Sequence, residues 1–440
     1  MSEAYLAEHA WLPDGLRQRV RIAVESGRIT EVVPDAAPEA RDVPLAGLTL
    51  SGFANTHSHA FHRALRGRTH EGGGTFWTWR EQMYSVAARL DPENYYALAR
   101  ATFAEMAVAG VSAVGEFHYV HHRPDGGPYA DPNAMGIALL AAARDAGIRI
   151  TLLDTCYLSG GLDEHGPVPL APRQLRFGDG DTERWAARVA ALRPATHALI
   201  GAAIHSVRGV PRDQLPTVVA AAAGRPLHVH LSEQPDENTQ CVAAYGMTPT
   251  ALLADAGALG AATTAVHATH LSQPDIVELG NSRTSISFCP TTERDLADGI
   301  GPARALADAG SPIVLGSDQH AMIDLLEEAR AVEMDERLAT QRRGRFRVAE
   351  LVTALTAAGQ SSLGWTDAGH IAVGARADLT TLRLDSVRTA GAVPGQAILA
   401  ASAADVHSVI VDGIRVVQDG VHVLGDVGLL LREAIAPLVG

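Results

Sequence analysis

The chain has 440 residues, of which 47% are hydrophobic and 20% are charged, a balance that is typical of a folded globular protein. Its 36 basic and 50 acidic residues give a formal net charge of −14, which disfavours a binding surface for nucleic acid or for an anionic membrane. The length allows one large domain with a substantial core and a smaller second unit.

The lack of lysine and the wide spacing of the cysteines exclude several kinds of catalytic and metal site, and the apolar pattern bears on location. The sequence contains no lysine, which excludes Schiff-base catalysis, a P-loop nucleotide site and a lysine general base. The three cysteines, Cys156, Cys241 and Cys289, are widely spaced, which argues against a disulfide framework and a cysteine zinc site. The N-terminal segment lacks a secretory pattern and no apolar run is long enough to span a bilayer, so we expect a cytoplasmic protein with no membrane partner.

Apolar runs typical of buried strands alternate with helix-like segments rich in alanine, leucine, arginine and glutamate. In chain order the runs cover residues 48–57, 111–119, 148–157, 197–205, 225–233, 263–270, 284–290 and 311–318. Alternating strands and helices predict a parallel sheet, and eight such units predict a closed (β/α)8 TIM-like barrel, which is an α/β fold.

The two ends of the chain are expected to form a second, smaller domain. Residues 1–48 and 370–440 contain short β-rich pieces separated by glycine and aspartate, as in hairpins. Because neither piece alone is long enough for a stable sheet, we predict that they pair into one discontinuous β-sandwich domain. The barrel is then expected to span residues 49–369.

The ends of the predicted strands carry side chains that can do chemistry. His57 ends the first run and His59 lies two residues further on, and strand alternation places both on one face, where a metal ion could take a nitrogen from each. For an isolated pair, the competing interpretation is two core histidines bonded to backbone carbonyls. Further candidates end the later runs: Glu116, Tyr119, His205, His230, Glu233, His267 and Asp318. Because the carboxyl ends of barrel strands face one mouth, these residues are expected to converge, which favours a metal site.

The chain resembles the amidohydrolase superfamily over nearly its whole length. The motifs that carry the resemblance are THSH, HVHLSE, VHATHL and GSD at the strand ends, with GHIAVGARADL and VHSVIVDG in the C-terminal piece. Within the superfamily, HSHAFHRAL, FWTWREQMY, GEFHYVHH and IHSVRGV are similar to the branch of N-formimino-L-glutamate deiminases. One position departs from that branch, because His62 stands where we would expect a glutamine.

The resemblance implies one divalent metal ion, because the lysine that bridges two metals in other members is absent. The implied ligands are His57, His59, His230 and Asp318. Imidazole and carboxylate ligands suit Zn²⁺, with Fe²⁺ and Mn²⁺ as alternatives. Glu233 is expected to transfer protons, His267 to polarise the tetrahedral intermediate, and Asp318 to accept a proton as well as to bind the metal.

The same resemblance implies hydrolysis of N-formimino-L-glutamate to N-formyl-L-glutamate and ammonia, a step of histidine degradation. This small, anionic, amino-acid-derived partner carries two carboxylates, which arginine can bind through paired hydrogen bonds. Arg80 and Arg208 are therefore the expected anchors. His62, Tyr119 and His205 are expected to add hydrogen bonds, and a homodimer is the expected assembly.

Two other functions stay open. A related deaminase acting on a ring amidine, such as guanine, a pterin or an adenosine derivative, would share the metal site but need an aromatic or amide-lined pocket. A catalytically silent metal-binding barrel would have lost part of the ligand set, which is intact here. Five histidines have no predicted role: His118, His121, His122, His270 and His320.

Overall fold

The computed structural model describes residues 2–70 and 76–439. Its strands are β1 (Ser2–Leu12), β2 (Gly15–Glu25), β3 (Arg28–Val33), β4 (Val43–Ser51), β5 (Phe53–Ser58), β6 (Val111–His118), β7 (Arg149–Cys156), β8 (Gly161–Asp163), β9 (Gly166–Val168), β10 (Ala198–Ile204), β11 (Leu227–Leu231), β12 (Thr263–His267), β13 (Ser285–Phe288), β14 (Ile313–Leu315), β15 (Leu379–Leu382), β16 (Val406–Val411), β17 (Ile414–Gln418) and β18 (Val421–His422).

The α-helices are α1 (Phe76–Ala88), α2 (Pro92–Val108), α3 (Ala134–Ala146), α4 (Thr182–Ala191), α5 (Leu215–Ala222), α6 (Pro235–Tyr245), α7 (Pro249–Asp255), α8 (Gln273–Ser282), α9 (Pro290–Asp295), α10 (Ala303–Ala309), α11 (Leu325–Thr340), α12 (Val348–Leu355), α13 (Ala357–Ser362) and α14 (Val427–Val439). Shorter 3₁₀ helices lie at Ala60–Leu65, Pro172–Phe177, Arg212–Gln214, Pro394–Leu399 and Ala403–Asp405.

Eight parallel strands form the barrel, in the order β5, β6, β7, β10, β11, β12, β13 and β14. The last strand returns to the first, because Asp318 N donates to His57 O at 2.9 Å and Ser58 bridges Asp318 in parallel. Each barrel strand overlaps one of the eight predicted runs, and β5 extends one residue beyond its run, to Ser58. The predicted (β/α)8 barrel is therefore confirmed.

The first predicted run is divided between the two sheets at Gly52. β4 ends at Ser51 in the smaller domain, and β5 begins at Phe53 in the barrel. A Cβ atom on Gly52 would lie 2.4 Å from Ser112 Oγ, so the close approach of the two strands there requires glycine. The prediction of a single strand over 48–57 is therefore wrong, and the change of sheet lies beyond the expected domain limit at 48.

The second sheet joins both ends of the chain, in the order β18, β17, β16, β15, β4, β1, β2 and β3. Only β1 and β4 pair in parallel, and the remaining neighbours are antiparallel. Its hydrophobic core includes Tyr5, Ile22, Leu45, Ile371 and Ile410, which are all buried. The predicted β domain built from both termini is confirmed.

The chain ends in a helix that packs on the barrel. In α14 the buried residues are Leu431, Ala434 and Leu438, whose spacing of three and four is that of an amphipathic helix. Arg89 Nη1, just after α1, donates to Leu438 O at 3.2 Å. The β-rich pattern expected for the C-terminal piece does not extend to this segment. Neither α14 nor any other helix in the described ranges is long and apolar enough to cross a bilayer.

Candidate active site

Four predicted side chains meet at the carboxyl end of the barrel strands, and we call them the metal set: His57, His59, His230 and Asp318. His57 lies in β5, His59 one residue beyond it, His230 in β11, and Asp318 follows β14. His57 Nε2 lies 3.1 Å from His230 Nε2 and 3.3 Å from Asp318 Oδ1. His59 Nε2 lies 3.4 Å from the same carboxylate oxygen. The structure thus brings together all four predicted metal ligands.

Backbone carbonyls fix the orientation of two of these imidazoles. His59 Nδ1 lies 2.9 Å from Phe117 O, and His230 Nδ1 lies 2.8 Å from His205 O. A carbonyl only accepts hydrogen bonds, so each Nδ1 carries the proton and each Nε2 keeps its lone pair toward the centre of the metal set. Such outer bonds are the usual support of metal-binding histidines.

The protonation states of the metal set also suit a cation. Burial lowers the pKa of His57, His59 and His230, which keeps these imidazoles neutral. Burial alone would raise the pKa of Asp318, but the hydrogen bond from His57 and the positive charge of nearby His267 lower it well below its usual range. Neutral imidazoles with an ionised carboxylate are the donor set that a divalent metal requires.

Glu233 and His267 lie beside the metal set. His267 Nε2 is 3.9 Å from Glu233 Oε1 and 3.8 Å from Asp318 Oδ2, and its Nδ1 is 3.4 Å from Glu293 Oε1. Burial raises the pKa of Glu233. Burial opposes protonation of His267, but the carboxylates around it raise its pKa to about 10. The pair therefore combines a proton acceptor with a charged hydrogen-bond donor.

Backbone strain is concentrated at this mouth. Five non-glycine residues there have φ between 42° and 68°: Ser232, His267, Ala268, Asp318 and His320. A left-handed conformation costs a non-glycine residue about 1–3 kcal/mol and persists only where surrounding bonds enforce it. At Asp318 the enforcing bonds are those that close the barrel, from its N–H to His57 O and from His59 N to its own carbonyl at 3.2 Å. Barrel closure thus sets the direction of the carboxylate.

Three members of the metal set, His59, His230 and Asp318, line a small cavity of about 70 Å³. Its wall also contains every predicted substrate-binding residue: His62, Arg80, Tyr119, His205 and Arg208. We call Arg80, Tyr119, His205 and Arg208 the anchor set. Aromatic side chains that were not predicted complete the wall: Trp79, Tyr84, Tyr157 and Phe177. Their sequence signal is that of ordinary core aromatics, so only the fold assigns them to the cavity.

Arg208 is held in place by a carboxylate that was not predicted, Glu237. Arg208 Nε donates to Glu237 Oε2 at 3.0 Å, and Arg208 Nη2 lies 3.8 Å from Glu233 Oε2. The second oxygen of Glu237 accepts from Ser232 N at 2.9 Å. Glu237 lies in the first turn of α6, and no sequence pattern indicates its contact with Arg208 on another segment. Glu237 thus fixes the guanidinium beside the predicted proton carrier.

Arg80 and His62 are each bonded to a tyrosine. Arg80 Nε donates to Tyr84 OH at 2.8 Å, one turn along α1. His62 Nε2 lies 2.9 Å from Tyr119 OH. Burial lowers the pKa of His62 to about 3, so its imidazole is neutral. The residue that departs from the resembling branch therefore orients a tyrosine hydroxyl of the anchor set.

Two of the unassigned histidines lie behind the cavity wall. His270 Nε2 lies 2.8 Å from Asp298 O. His320 joins the neighbours of three metal-set residues. Its Nδ1 lies 2.9 Å from Ser317 Oγ, next to Asp318, and its Nε2 lies 3.2 Å from Ser58 Oγ, between His57 and His59. Neither residue lines the cavity, so both support the site without facing a substrate.

The other three unassigned histidines belong to a separate buried cluster. His118, His121 and Asp154 are close enough to share a metal ion. However, Arg188 already binds both oxygens of Asp154, at 2.8 and 2.9 Å. A guanidinium in that position disfavours a second cation, and His122 adjoins the same cluster. The cluster is therefore a structural network.

Glu116, a predicted strand-end candidate, lies beneath the metal set. Its Oε2 accepts from Ser58 Oγ at 2.6 Å, and its Oε1 accepts from Ala60 N at 2.7 Å. These two residues flank His59 along the chain. The buried carboxyl group therefore holds the turn that directs His59 toward the cavity.

The chain belongs to the Amidohydrolase family, whose model matches residues 48–416. It is 37% identical over 439 residues to the formimidoylglutamate deiminase of Pseudomonas aeruginosa, covering 95% of each chain. It is 30% identical to the 8-oxoguanine deaminase of the same organism, over 96% of this chain and 95% of that protein. The crystal structure of an amidohydrolase from Brucella melitensis superposes with a TM-score of 0.93 at 31% identity, over 100% of both chains.

These similarities confirm the superfamily resemblance and define the chain as an amidohydrolase-superfamily deaminase, a hydrolase acting on C–N bonds. Members of the family bind a divalent metal, in agreement with the geometry and protonation of the metal set. Because the related deaminases act on different molecules, the choice of substrate depends on the residues that line the cavity.

Proposed function

We propose that the chain catalyses the hydrolysis of N-formimino-L-glutamate to N-formyl-L-glutamate and ammonia, in the cytoplasm and as a step of histidine degradation. The observation that carries this proposal is the presence of two arginines, Arg80 and Arg208, in the same small cavity as the metal set. A chain with a net charge of −14 attracts a dianion only through such local cations.

The anchor set suits the two carboxylates of this substrate. A guanidinium offers paired N–H donors that match the geometry of a carboxylate. Arg208 keeps donors toward the cavity after bonding Glu237 through Nε, and Tyr119 adds a hydroxyl oriented by His62. With the carboxylates held there, the formimino carbon is directed toward the metal set. The relative from Pseudomonas aeruginosa at 37% identity supports the same substrate.

The metal set fits a divalent ion, and we take Zn²⁺ as the first candidate, with Fe²⁺ and Mn²⁺ suiting the same ligands. When bound, the metal supplies Lewis-acid chemistry that activates water for attack at neutral pH. Glu233 then has the position to take a proton from the attacking water and to pass it to the terminal nitrogen of the formimino group.

The remaining steps use Asp318 and His267. Protonated His267 donates a hydrogen bond to the oxygen of the tetrahedral intermediate, and Asp318 offers a second acceptor for the water proton. As the bond from carbon to the terminal nitrogen breaks, ammonia leaves with the transferred protons and the formyl group stays on the glutamate nitrogen. One water is consumed for each ammonia released, and no oxidant or reductant is needed.

A ring amidine is the competing substrate. The tyrosines and phenylalanine of the cavity could stack on a ring, and one relative is an 8-oxoguanine deaminase. A neutral ring, however, offers no carboxylate to the guanidinium donors of Arg80 and Arg208 that line the cavity. Two carboxylates match those donors, so the lining supports the dianionic substrate better.

The test is ammonia release by the metal-loaded enzyme from formiminoglutamate, formiminoaspartate, guanine, 8-oxoguanine and adenosine. We expect kcat/KM to be highest for formiminoglutamate and measurably lower for the shorter formiminoaspartate. Turnover of a purine with no turnover of either formimino amino acid would contradict the proposed substrate while leaving the deaminase class intact.

A further inference from the structure

A second cavity lies between residues 63–68, which include the end of the 3₁₀ helix Ala60–Leu65, and the C-terminal helix α14. It measures about 390 Å³ and shares no lining residue with the active-site cavity. Four arginines line it, Arg63, Arg66, Arg68 and Arg432, and no acidic residue does so in the described part of the chain. We call this cavity the arginine groove.

The positive charge of the arginine groove is largely uncompensated. Arg63 Nε and Arg66 Nη1 bind the two oxygens of one carboxylate, Glu105, at 2.6 and 2.5 Å. Arg66 Nη2 is buried and has no hydrogen-bond partner among the residues at 2–70 and 76–439. Arg68 and Arg432 are exposed, and neither forms an ion pair within those ranges. Among the described residues, the four arginines therefore share one carboxylate partner, in a chain whose formal net charge is −14.

We propose that the arginine groove binds a small polyanion whose charged groups are phosphates or carboxylates. Like charges held close together are unfavourable unless an anion joins them, and a guanidinium binds either oxyanion through paired hydrogen bonds. The volume lies within the range of sites that enclose a small molecule. Leu431 and Ile435 of α14 add an apolar wall against which a carbon skeleton can pack.

The arginine groove is connected to the metal set by one hydrogen bond and by the chain that follows His59. Arg66 Nε donates to His320 O at 2.6 Å, two residues beyond Asp318. The same arginine ends the 3₁₀ helix that begins directly after His59. A polyanion that joins Arg66 and Arg68 to Arg432 would therefore restrain α14 against the segment that directly follows His59. Because the ligand binds only the folded chain, it is expected to raise the melting temperature.

The test is calorimetric titration of the metal-loaded enzyme at constant ionic strength, with inorganic phosphate and separately with propane-1,2,3-tricarboxylate. The groove variant is Arg68→Ser with Arg432→Ser, which removes two exposed arginines that form no ion pair within residues 2–70 and 76–439. The matched control is Arg342→Ser with Arg343→Ser, which changes the net charge equally at exposed positions outside the groove. The preferred titrant identifies the oxyanion that the site selects.

We expect saturable binding of one anion per chain by the wild type and by the control, with a melting temperature that rises as the site fills. In the groove variant the affinity should fall by about tenfold or more, since two charge-assisted contacts are lost. An Arg208→Met variant should bind as well as the wild type. Absence of saturable binding, equal binding by the groove variant, or loss of binding in Arg208→Met would each overturn the proposal, the last by placing the anion in the active site.

Discussion

The metal set and the anchor set share one cavity but are held by different parts of the fold. His57 and His230 lie in barrel strands, and Asp318 is directed by the hydrogen bonds that close the barrel. Arg80 lies on a helix and Arg208 on a loop after a strand, and both are positioned by side-chain partners. The reaction chemistry therefore depends on the barrel strands, whereas the choice of substrate depends on the helix and the loop that carry Arg80 and Arg208.

The two sets also differ in electrostatics. The metal set consists of imidazoles kept neutral by burial around one ionised carboxylate, so it is incomplete without a cation. The anchor set already carries cations, and one of them is partly neutralised by Glu237. Substitutions in the metal set should therefore remove all activity, while those in the anchor set should act selectively on charged substrates.

The largest effect is expected from loss of the metal set. Dialysis against a chelator, or substitution His230→Ala, should reduce ammonia release to background because the cation site loses its occupant or a ligand. Metal affinity of the variant should fall by more than about 100-fold, beyond what supporting residues contribute. Metal analysis should give one equivalent per chain, and one equivalent of Zn²⁺ should restore the chelated wild type. A requirement for two equivalents would refute the single-metal site.

Glu233→Gln should separate proton transfer from metal binding. The amide keeps the shape of the side chain but cannot accept the water proton, so kcat should fall by roughly 10²–10⁴-fold. Metal content should be unchanged and KM nearly so. Near-normal turnover by this variant would remove Glu233 from the mechanism, and loss of the metal would make it a structural support instead.

Arg208→Met should affect charged and uncharged substrates differently. For formiminoglutamate, kcat/KM should fall by an amount equivalent to about 2–5 kcal/mol, the usual effect of leaving a buried charge unpaired. An uncharged formamidine, which has no carboxylate, should be hydrolysed weakly by the wild type and almost equally by the variant. The comparison of the two substrates tests whether the guanidinium selects the anion.

The control for this substitution follows from the pairing with Glu237. Removing Arg208 alone leaves a buried carboxylate without its cation, which could disturb Glu233 nearby. The double variant Arg208→Met with Glu237→Gln removes that charge as well. If both variants lose formiminoglutamate hydrolysis but keep formamidine hydrolysis, the anchor role is supported. Equal slowing of both substrates would assign Arg208 to the support of the catalytic groups.

Sequence reasoning reached the barrel and the metal set for the same reason. Strand runs recur along the chain, and in a barrel their carboxyl ends must face one mouth, so His57, His230 and Asp318 could be placed together without a structure. The selection of these residues as metal ligands came from the resemblance to the amidohydrolase superfamily. Contacts between side chains of different elements carry no such periodic signal. Glu237 was missed for that reason, because its partner Arg208 lies on another segment and only the folded chain brings them to 3.0 Å.

Two features of the fold, the division of the first apolar run and the C-terminal helix α14, show a second limit of prediction from sequence. A continuous apolar run does not reveal that Gly52 permits β4 and β5 to lie in different sheets, since the requirement arises from Ser112 across the space between strands. Likewise, α14 follows a series of hairpins, and its apolar face is buried because it packs against α2. The sequence of α14 alone does not indicate that partner. The local sequence pattern predicts helices and strands, whereas the surface against which each one packs determines its place in the fold.

The smallest expected effect concerns the support beneath the metal set. Burial raises the pKa of Glu116 to about 8, although hydrogen bonds from Ser58 and Ala60 favour its ionised form. In the unfolded chain the group titrates near 4.5. Between these values the folded chain keeps a proton that the unfolded chain has released, so the stability should fall as the pH rises from 4.5 to 8 and then level off.

Glu116→Gln removes this ionisation and keeps an oxygen that can accept from Ala60 N. Melting temperatures of the metal-loaded wild type and variant, measured from pH 5 to pH 8, should therefore diverge by a few degrees, with the wild type losing more. Every other titrating group is common to both chains, so its contribution cancels in the difference. Parallel profiles would mean that Glu116 is already ionised when folded. The turn carrying His59 would then be held by an ionised Glu116. The contrast between a neutral carboxyl group beneath the metal set and the charged arginines of the anchor set would disappear.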